Sequence, residues 1–240
     1  MEISKGIEAI GQSLFFRKRR ILAIADLHLG YEEMLNRQGV MMPRFNFKEI
    51  KARLEKILAN TGKLEKIIIL GDLKHEFGVI SDQEWKEVLE MLDYLGRNCA
   101  EIILVRGNHD KILGPIANRK NVKLQDEFLL EPEKVLFIHG DKLPSKANLK
   151  KSDLIAMGHE HPAVSVKDGL KAETYKCFLK GKFEGKELIV LPSMNSAALG
   201  TDLTKEEILS PLLKKSNLSE FEVYAGEDEV YFLGKLGRLL

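Results

Sequence analysis

The sequence has few of the residues that would place it in a specialised structural class. Only two cysteines, Cys99 and Cys177, occur among 240 residues, too few for a disulfide framework and typical of a reducing compartment. The 37 Lys and Arg residues nearly balance 36 Asp and Glu residues, for a net charge of +1, so composition identifies no nucleic-acid partner. The longest apolar runs fall far short of the roughly 18 residues of a membrane helix. We therefore expect a cytoplasmic globular protein with no membrane partner.

Six short runs rich in Ile, Val and Leu predict buried strands. They are continuous rather than alternating in polarity, which is typical of strands covered on both faces in a layered α/β fold. The runs are Ile21–Ala25, Ile67–Leu70, Ile102–Val105, Val135–Ile138, Leu154–Met157 and Leu188–Leu191. Hairpins are expected around residues 131–134, 184–185 and 226–228.

Two amphipathic helices are predicted between the first three of these runs. The first is expected to begin after Asn46, with Glu49 completing a capping box, and to end before Gly62. Ser81 and Glu84 predict a second capping box at the start of the next helix. We therefore expect a single domain over residues 1–240, with a motif-bearing core at 20–200 and C-terminal strands at 201–240, built from two packed sheets with helices outside.

The six histidines all lie in segments that directly follow predicted strands, together with Asp and Asn residues. The segments are Asp26–His28, Gly71–His75, Arg106–Asp110, His139–Asp141 and Gly158–Pro162. In open α/β sheets, ligands bind in the loops beyond the carboxyl ends of the strands. We therefore expect these segments to converge on one site.

The residue types in these segments indicate a metal centre. Carboxylate oxygen, amide oxygen and imidazole nitrogen together suit first-row divalent metals better than Mg²⁺ or Ca²⁺, which favour oxygen ligands. The candidate ligands are too many for one ion, and two metals about 3.5 to 4 Å apart form the usual clamp for displacement at phosphorus. The pattern therefore predicts a dimetal phosphoester hydrolase.

Five motifs, in this order, resemble those of the calcineurin-like metallophosphoesterase superfamily. They are D-x-H, G-D-x-x-H, G-N-H-D, H-G and G-H-x-H, and they span residues 26–162. The G-D-x-x-H form and the opening Asp26–Gly30 resemble the SbcD-related and Icc-like branch. The resemblance implies an α/β fold, a four-layered αββα sandwich of two mixed β-sheets, with the metal site at the C-terminal ends of the strands.

The resemblance also implies which residues bind metal. One ion would be held by Asp26, His28, Asp72 and His161, with Asp72 bridging to the other ion. The second ion would be completed by Asn108, His139 and His159. Mn²⁺ is the expected metal, and Fe, Zn, Co and Ni are also compatible with these ligands.

The same resemblance implies the catalytic roles. His109 would be the general acid at the leaving oxygen, oriented by Asp110, while a metal-bridging hydroxide attacks phosphorus. His75 stands where this family often places a residue near the phosphate, and a surface or supporting histidine would explain it equally well.

Four further positions are candidates for contacts at the rim of the site. Arg37 and Arg44 precede the first predicted helix and are candidates for binding the phosphate, although solvated loop charges would explain them equally well. Ser193 and Asn195 follow the last predicted strand. The basic run Arg17–Arg20 would lie about 20 Å from the site, at the other end of its strand, and is expected to be a solvated hairpin.

The predicted function is a metal-dependent phosphodiesterase or nuclease, whose partner is a phosphoester in a nucleic acid or a nucleotide. A small-molecule nucleotide or cyclic-nucleotide phosphoesterase is the alternative, favoured by the near-zero net charge because phosphate contacts need cationic groups. A catalytically silent scaffold, such as the retromer scaffold subunit of this superfamily, is the third. The presence of His28, His109, His159 and His161 argues against that scaffold. The sequence predicts no oligomeric state.

Overall fold

The computed structural model describes residues 1–76, 81–168 and 171–239. The strands of the first sheet in these ranges are β1 (Glu2–Ser4), β2 (Ile7–Ile10), β3 (Ser13–Phe16), β4 (Ile21–Ile24), β5 (Leu64–Leu70), β6 (Cys99–Val105) and β7 (Lys123–Gln125). The strands of the second sheet are β8 (Phe128–Leu130), β9 (Val135–Ile138), β10 (Leu154–Met157), β11 (Pro162–Asp168), β12 (Lys171–Phe183), β13 (Lys186–Val190), β14 (Thr201–Asp202), β15 (Glu222–Ala225) and β16 (Tyr231–Lys235).

Helices connect and cover these strands. They are α1 (Tyr31–Arg37), α2 (Asn46–Thr61), α3 (Asp82–Asn98), α4 (Gly114–Arg119), α5 (Lys146–Lys151) and α6 (Pro211–Lys214), with short 3₁₀ turns at Arg17–Arg19, Leu218–Glu220 and Leu236–Arg238. Within the described ranges, none of these helices has the length and apolar character that crossing a membrane requires.

Both sheets are mixed, as predicted. The first has the order β1-β2-β3-β4-β5-β6-β7, antiparallel from β1 to β4 and parallel from β4 to β7. The second has the order β14-β11-β12-β13-β10-β9-β8, and β15 pairs with β12 and carries β16. Strands β13, β10 and β9 are parallel at its centre. In each sheet, therefore, a parallel centre directs several strand ends to the same edge.

The apolar runs are continuous because each central strand contributes to two cores. Ile67 and Ile69 of β5 pack with helices α2 and α3, whereas Ile68 and Leu70 pack between the two sheets. On β10, Ala156 faces the first sheet, while Ile155 and Met157 pack with Leu212 and Leu213 of α6 on the outer side. The layers are helix, sheet, sheet and helix, so the predicted four-layered sandwich is confirmed.

The predicted strands and hairpins are present with shifted boundaries. Strands β5 and β6 begin three residues before their apolar runs, and in each strand these three residues are buried, exposed and half-buried in turn. The expected hairpins join β8 to β9, β12 to β13 and β15 to β16. Arg17–Arg20 forms the turn from β3 to β4, at the opposite end of β4 from Asp26.

One of the two predicted helix caps is wrong. The capping box of Ser81 and Glu84 is present at α3. Asn46, in contrast, is the first residue of α2, and the helix end is capped by Glu32, whose Oε1 accepts hydrogen bonds from the backbone N–H of Phe45 at 2.9 Å and of Asn46 at 2.6 Å. A buried carboxylate from α1 therefore performs the capping, and a local sequence pattern does not reveal it.

Candidate metal centre

All predicted ligands and catalytic residues lie beyond the carboxyl ends of five strands. Those from the first sheet follow β4, β5 and β6, and those from the second follow β9 and β10. In chain order they are Asp26, His28, Asp72, His75, Asn108, His109, Asp110, His139, His159 and His161. The two sheets pack face to face, so these loops meet at one edge of the sandwich.

Asp26, His28 and His161 form the first group that could hold an ion. The Nε2 atoms of His28 and His161 are 3.2 Å apart, and Nε2 of His161 is 3.5 Å from Oδ1 of Asp26. With ligand bonds of about 2.1 Å, two donors on one ion are separated by about 3.0 to 3.4 Å at angles of 90–109°. The group therefore has the spacing of a coordination shell.

Asp72, His139 and His159 form the second group. Nε2 of His139 lies 3.1 Å from Nδ1 of His159, 3.4 Å from Oδ2 of Asp72 and 2.9 Å from Oδ1 of Asn108. The other ring nitrogen of His139 donates to the carbonyl of Leu70 at 2.8 Å. Such a bond fixes the orientation of a metal-binding imidazole, so Nε2 is the atom presented to the centre.

Each of the two carboxylates uses one oxygen to bind the backbone and directs the other to the centre. Oδ2 of Asp26 accepts from the N–H of His159, and Oδ1 of Asp72 accepts from that of His109, each at 2.9 Å. This approach needs glycine, because a Cβ at Gly107 would lie 2.1 Å from Oδ1 of Asp72. The remaining oxygen of Asp72, Oδ2, lies 3.4 Å from His139 Nε2 and 3.7 Å from His28 Nε2, and so faces both groups.

The inward oxygen of Asp26 indicates that the site is built for a cation. Oδ1 of Asp26 is buried and has no hydrogen-bond partner among the described residues. An unpaired buried carboxylate oxygen is costly, and a divalent ion between Asp26, His28 and His161 would compensate its charge. The oxygen and nitrogen donors fit first-row divalent metals.

Backbone strain is concentrated in the same residues. Several of the predicted ligand residues have a positive φ although they are not glycine, which is uncommon for L-residues and costs of order 1–3 kcal/mol each. These are Asp26 (54°), His28 (46°), Asp72 (48°), His159 (68°) and His161 (50°). Strain of this kind persists where the surrounding structure imposes it, as at ligand-binding sites.

The histidines of the second group differ in their pKa. Burial opposes protonation of His139, but its hydrogen bond to Asp72 and the charge of that carboxylate raise its pKa to about 10. Burial would raise the pKa of Asp72, yet its contact with His139 lowers it below the usual range. Burial, followed by the charge of His139, lowers the pKa of His159 to about 4. His159 is thus neutral, the form that binds metals, whereas His139 is protonated in the absence of an ion and would have to release its Nε2 proton to bind one.

His109 and His75 lie beside the first group. Nε2 of His109 is 3.8 Å from Oδ2 of Asp72, and its Nδ1 donates to the backbone carbonyl of His75. Nδ1 of His75 lies 3.2 Å from Nδ1 of His28, and its ring stacks on His109 with centroids 5.2 Å apart. Burial, followed by the charge of His109, lowers the pKa of His75 to about 4. The side chain of His75 therefore contacts the imidazole of His28, and its backbone carbonyl binds His109.

Asp110 contacts backbone groups of the loops. Its two oxygens accept hydrogen bonds from the N–H of Leu73 at 3.1 Å and of Gly107 at 3.0 Å. The side chain is fully buried, and burial, followed by the charge of Asp72, raises its pKa to about 7. These bonds tie the loop after β5 to the loop after β6; the role of Asp110 in orienting His109 stays a prediction.

The four rim candidates have other partners. Arg44 lies 2.6 Å from Oε2 of Glu33, and Arg37 lies 3.4 Å from Oε1 of the same carboxylate; their role in binding phosphate stays a prediction. Ser193 and Asn195 are only 2% exposed, so the prediction that they lie at the rim is wrong. The Ser193 hydroxyl and the Asn195 N–H both donate to the backbone carbonyl of Asp26, at 2.7 and 3.1 Å.

Two cations that the sequence did not single out hold this segment behind Asp26. Nζ of Lys176 donates to the carbonyls of Ser193 and Asn195, at 3.0 Å for Ser193. Arg53 donates to the carbonyl of Met194 at 3.2 Å. No local pattern distinguishes these two residues from the many other lysines and arginines of the chain.

The fold and the clustered donors define a metallohydrolase. The profile of calcineurin-like phosphoesterases matches residues 19–218, and the chain belongs to that family. It is therefore a metal-dependent phosphoesterase, as the motifs predict. No curated protein sequence matches the chain.

Solved structures are similar to this chain at low sequence identity. The nuclease MPE from Pseudomonas putida is 20% identical over 95% of this chain and 94% of that chain, with a TM-score of 0.66. The phosphoesterase YfcE from E. coli is 17% identical over 90% and 98% of the two chains, with a TM-score of 0.40. Vacuolar protein sorting 29 from Cryptosporidium parvum is 16% identical over 89% and 90%, with a TM-score of 0.41. At these identities, the similarity to the nuclease shows a shared fold.

Proposed function

We propose that this chain is a dinuclear metal-dependent phosphodiesterase that cleaves nucleic acid. The observation that carries the proposal is the position of Asp72, whose Oδ2 faces His139 of one group and His28 of the other. One ion would be bound by Asp26, His28, Asp72 and His161, and the other by Asp72, Asn108, His139 and His159. We expect Mn²⁺ in both positions.

Two bound ions would supply an activated water at neutral pH and would hold the attacking and leaving oxygens in line. The protein contributes fixed positions for these groups. Oδ2 of Asp26 and Oδ1 of Asp72 each accept a hydrogen bond from a backbone N–H. Nδ1 of His139 donates to the carbonyl of Leu70. The metal-binding atoms are therefore already in position and would need little rearrangement during the reaction. Electrostatic catalysis depends mainly on such preorganisation.

His109 is the proton donor in this proposal. Its Nδ1–H is held by the carbonyl of His75, so the proton that a charged imidazole can release is the one on Nε2. Nε2 lies 3.8 Å from Oδ2 of Asp72, and in this proposal the reacting phosphate would be bound beside it. A histidine there can protonate a leaving alkoxide near neutral pH, which contributes about 10²- to 10⁴-fold to the rate.

Two aryl substrates test these roles. Hydrolysis of diphenyl phosphate releases phenolate, a basic leaving group that benefits strongly from protonation. Hydrolysis of bis(p-nitrophenyl) phosphate releases p-nitrophenolate, a stable anion that needs a proton much less. With Mn²⁺, we expect Asp72→Ala to abolish hydrolysis of both compounds. His109→Ala should slow diphenyl phosphate by about 10²-fold or more and bis(p-nitrophenyl) phosphate much less. Asp126→Ala, which removes an exposed partner of Arg106, serves as the control; full activity of Asp72→Ala would contradict the proposal.

The substrate class is tested with the same protein. The fold shared with a nuclease over most of both chains supports a polymeric substrate, whereas the net charge of +1 favours a small one. Labelled single- and double-stranded DNA, RNA and a panel of nucleotides should each be incubated with Mn²⁺. Cleavage of a polymer that Asp72→Ala lacks supports the nuclease. Turnover of nucleotides alone would instead establish the small-molecule alternative.

A further inference from the structure

A buried carboxylate lies under the loop that carries His75. Glu84 belongs to the first turn of α3 and is completely buried. Its Oε1 accepts hydrogen bonds from the backbone N–H of His75 at 3.2 Å and of Glu76 at 2.7 Å, and its Oε2 accepts from that of Ser81 at 3.1 Å. The reciprocal bond of the capping box, from the Glu84 N–H to the Ser81 hydroxyl, is 3.1 Å. A capping box needs only the bond to Ser81, so the bonds to His75 and Glu76 are additional.

The loop after β4 leaves room for the side chain of Glu84. Gly30, with a φ of +82°, packs against Glu84 so closely that a Cβ at residue 30 would lie 2.1 Å from Cγ of Glu84. Any other residue at position 30 would displace the carboxylate. Glu84 is therefore held between the loop after β4 and the loop after β5.

The bonds of Glu84 lead directly to His109. The N–H of Glu76 and the C=O of His75 belong to one planar peptide group. Glu84 binds the N–H end of this group, and Nδ1 of His109 donates to its carbonyl end. A carboxylate on the N–H side also polarises the peptide and strengthens its carbonyl as an acceptor. The preceding N–H, of His75, donates to the carbonyl of Leu29 at 3.0 Å as well as to Glu84, which fixes the neighbouring Lys74–His75 peptide group too.

We propose that Glu84 is a positioning residue that fixes the His75–Glu76 peptide group, and so sets the orientation of His109 with Nε2 toward the reaction centre. The inference rests on the proposed role of His109 as proton donor. Glu84 itself touches neither substrate nor metal ligand side chains in this role, because it acts through a backbone carbonyl.

The Glu84→Gln variant tests the inference, because an amide of the same size has one acceptor oxygen and leaves at least one of the three N–H groups unpaired. We expect hydrolysis of diphenyl phosphate to fall about 10- to 100-fold, as for a slightly misplaced catalytic group. Hydrolysis of bis(p-nitrophenyl) phosphate should change much less. The double variant Glu84→Gln/His109→Ala should be no slower than His109→Ala alone, because both changes remove the same function.

The matched control is Ser81→Ala, which removes the other half of the capping box and leaves the carboxylate in place. Its rates should equal those of the wild type on both substrates. Glu84→Asp is the second variant; it retains the charge but is one methylene too short to reach the loop, and should show the same dependence on the leaving group as Glu84→Gln.

A second readout does not depend on activity. In metal-free protein labelled with ¹⁵N-histidine, at alkaline pH, the neutral ring of His109 should be the Nδ1–H tautomer in the wild type and in Ser81→Ala. In Glu84→Gln it should become a mixture of tautomers.

Equal losses on both substrates, together with an unchanged tautomer, would show that Glu84 only stabilises the fold and would overturn the inference. The two proposals fail differently. If His109→Ala slows both substrates equally, the role of His109 as acid is wrong. If His109→Ala depends on the leaving group but the Glu84 variants do not, only the role of Glu84 is wrong.

Discussion

At the scale of single residues, Lys176 is a partly buried cation behind the candidate metal centre. It supports the segment that binds the backbone of Asp26. Burial, followed by the charge of Arg53, lowers the pKa of Lys176 from 10.5 to about 7. Between these two pH values the unfolded chain binds more protons than the folded chain, so folding becomes more favourable as pH rises through this interval. Below pH 7 both states are protonated, and the cost of the buried charge is present in full.

We therefore expect the stability of the wild type relative to Lys176→Met to rise by up to about 1.4 kcal/mol per pH unit between pH 7 and 10. Urea denaturation in EDTA, repeated across this pH range, measures the free energy of unfolding of both proteins. The difference between the two values excludes the titration of groups that both proteins share. Lys182→Met, at an exposed position of the same strand, is the control and should parallel the wild type. A constant difference between wild type and Lys176→Met would show that the buried lysine is not responsible.

The sequence predicts which residues form the site better than it predicts their contacts. The ligand types were recognisable because histidines are few and all follow buried strands. The contacts of Asp110, Ser193 and His75 were not, because each of them joins two loops through a backbone group. Such contacts depend on how closely two loops approach, and residue spacing within one segment does not encode that distance.

At the scale of elements, the long apolar strands were predictable and the short ones were not. Strands β1, β2 and β3 have only three or four residues each, too few for a clear period. The signal that could have found them is glycine in two-residue turns: Gly6 and Gly11 separate these strands and have φ of 74° and 54°. The cap of α2 was missed because Glu32, on α1, is distant along the chain.

The cap of α2 leads to a prediction at this scale. Glu32 is 1% exposed and binds two backbone N–H groups at the start of the helix. We expect Glu32→Ala to lower the free energy of unfolding by about 1–2 kcal/mol, the usual effect of losing a cap. Glu33→Ala is the matched control, because the neighbouring carboxylate forms exposed pairs with Arg37 and Arg44 and should change stability by about 0–1 kcal/mol. Urea midpoints give both values, and equal losses would contradict the capping role.

At the scale of the whole molecule, the candidate metal centre joins the two sheets. Asp26, His28, Asp72 and Asn108 follow strands of the first sheet, whereas His139, His159 and His161 follow strands of the second. The group that contains Asp26 and the group that contains Asp72 each have residues from both sheets. Between the sheets the contacts are mainly apolar, with Phe16 and Phe137 in edge-to-face contact at 5.3 Å. At the ligand edge, in contrast, buried carboxylates and imidazoles face each other across the interface, and a bound cation would offset their repulsion and desolvation.

Divalent metal should therefore stabilise the whole fold and not only a loop. A ligand that binds the folded state alone adds about 2.7 kcal/mol at a concentration 100 times its dissociation constant. We expect Mn²⁺ to raise the urea midpoint of the wild type by a corresponding amount relative to EDTA, in one cooperative transition. Asp72→Asn, which removes the charge facing both groups, should lose most of this gain, whereas Asp126→Asn, at an exposed position paired with Arg106, should keep it. If Mn²⁺ stabilised both variants equally, the ions would have to bind outside the edge where the two sheets meet.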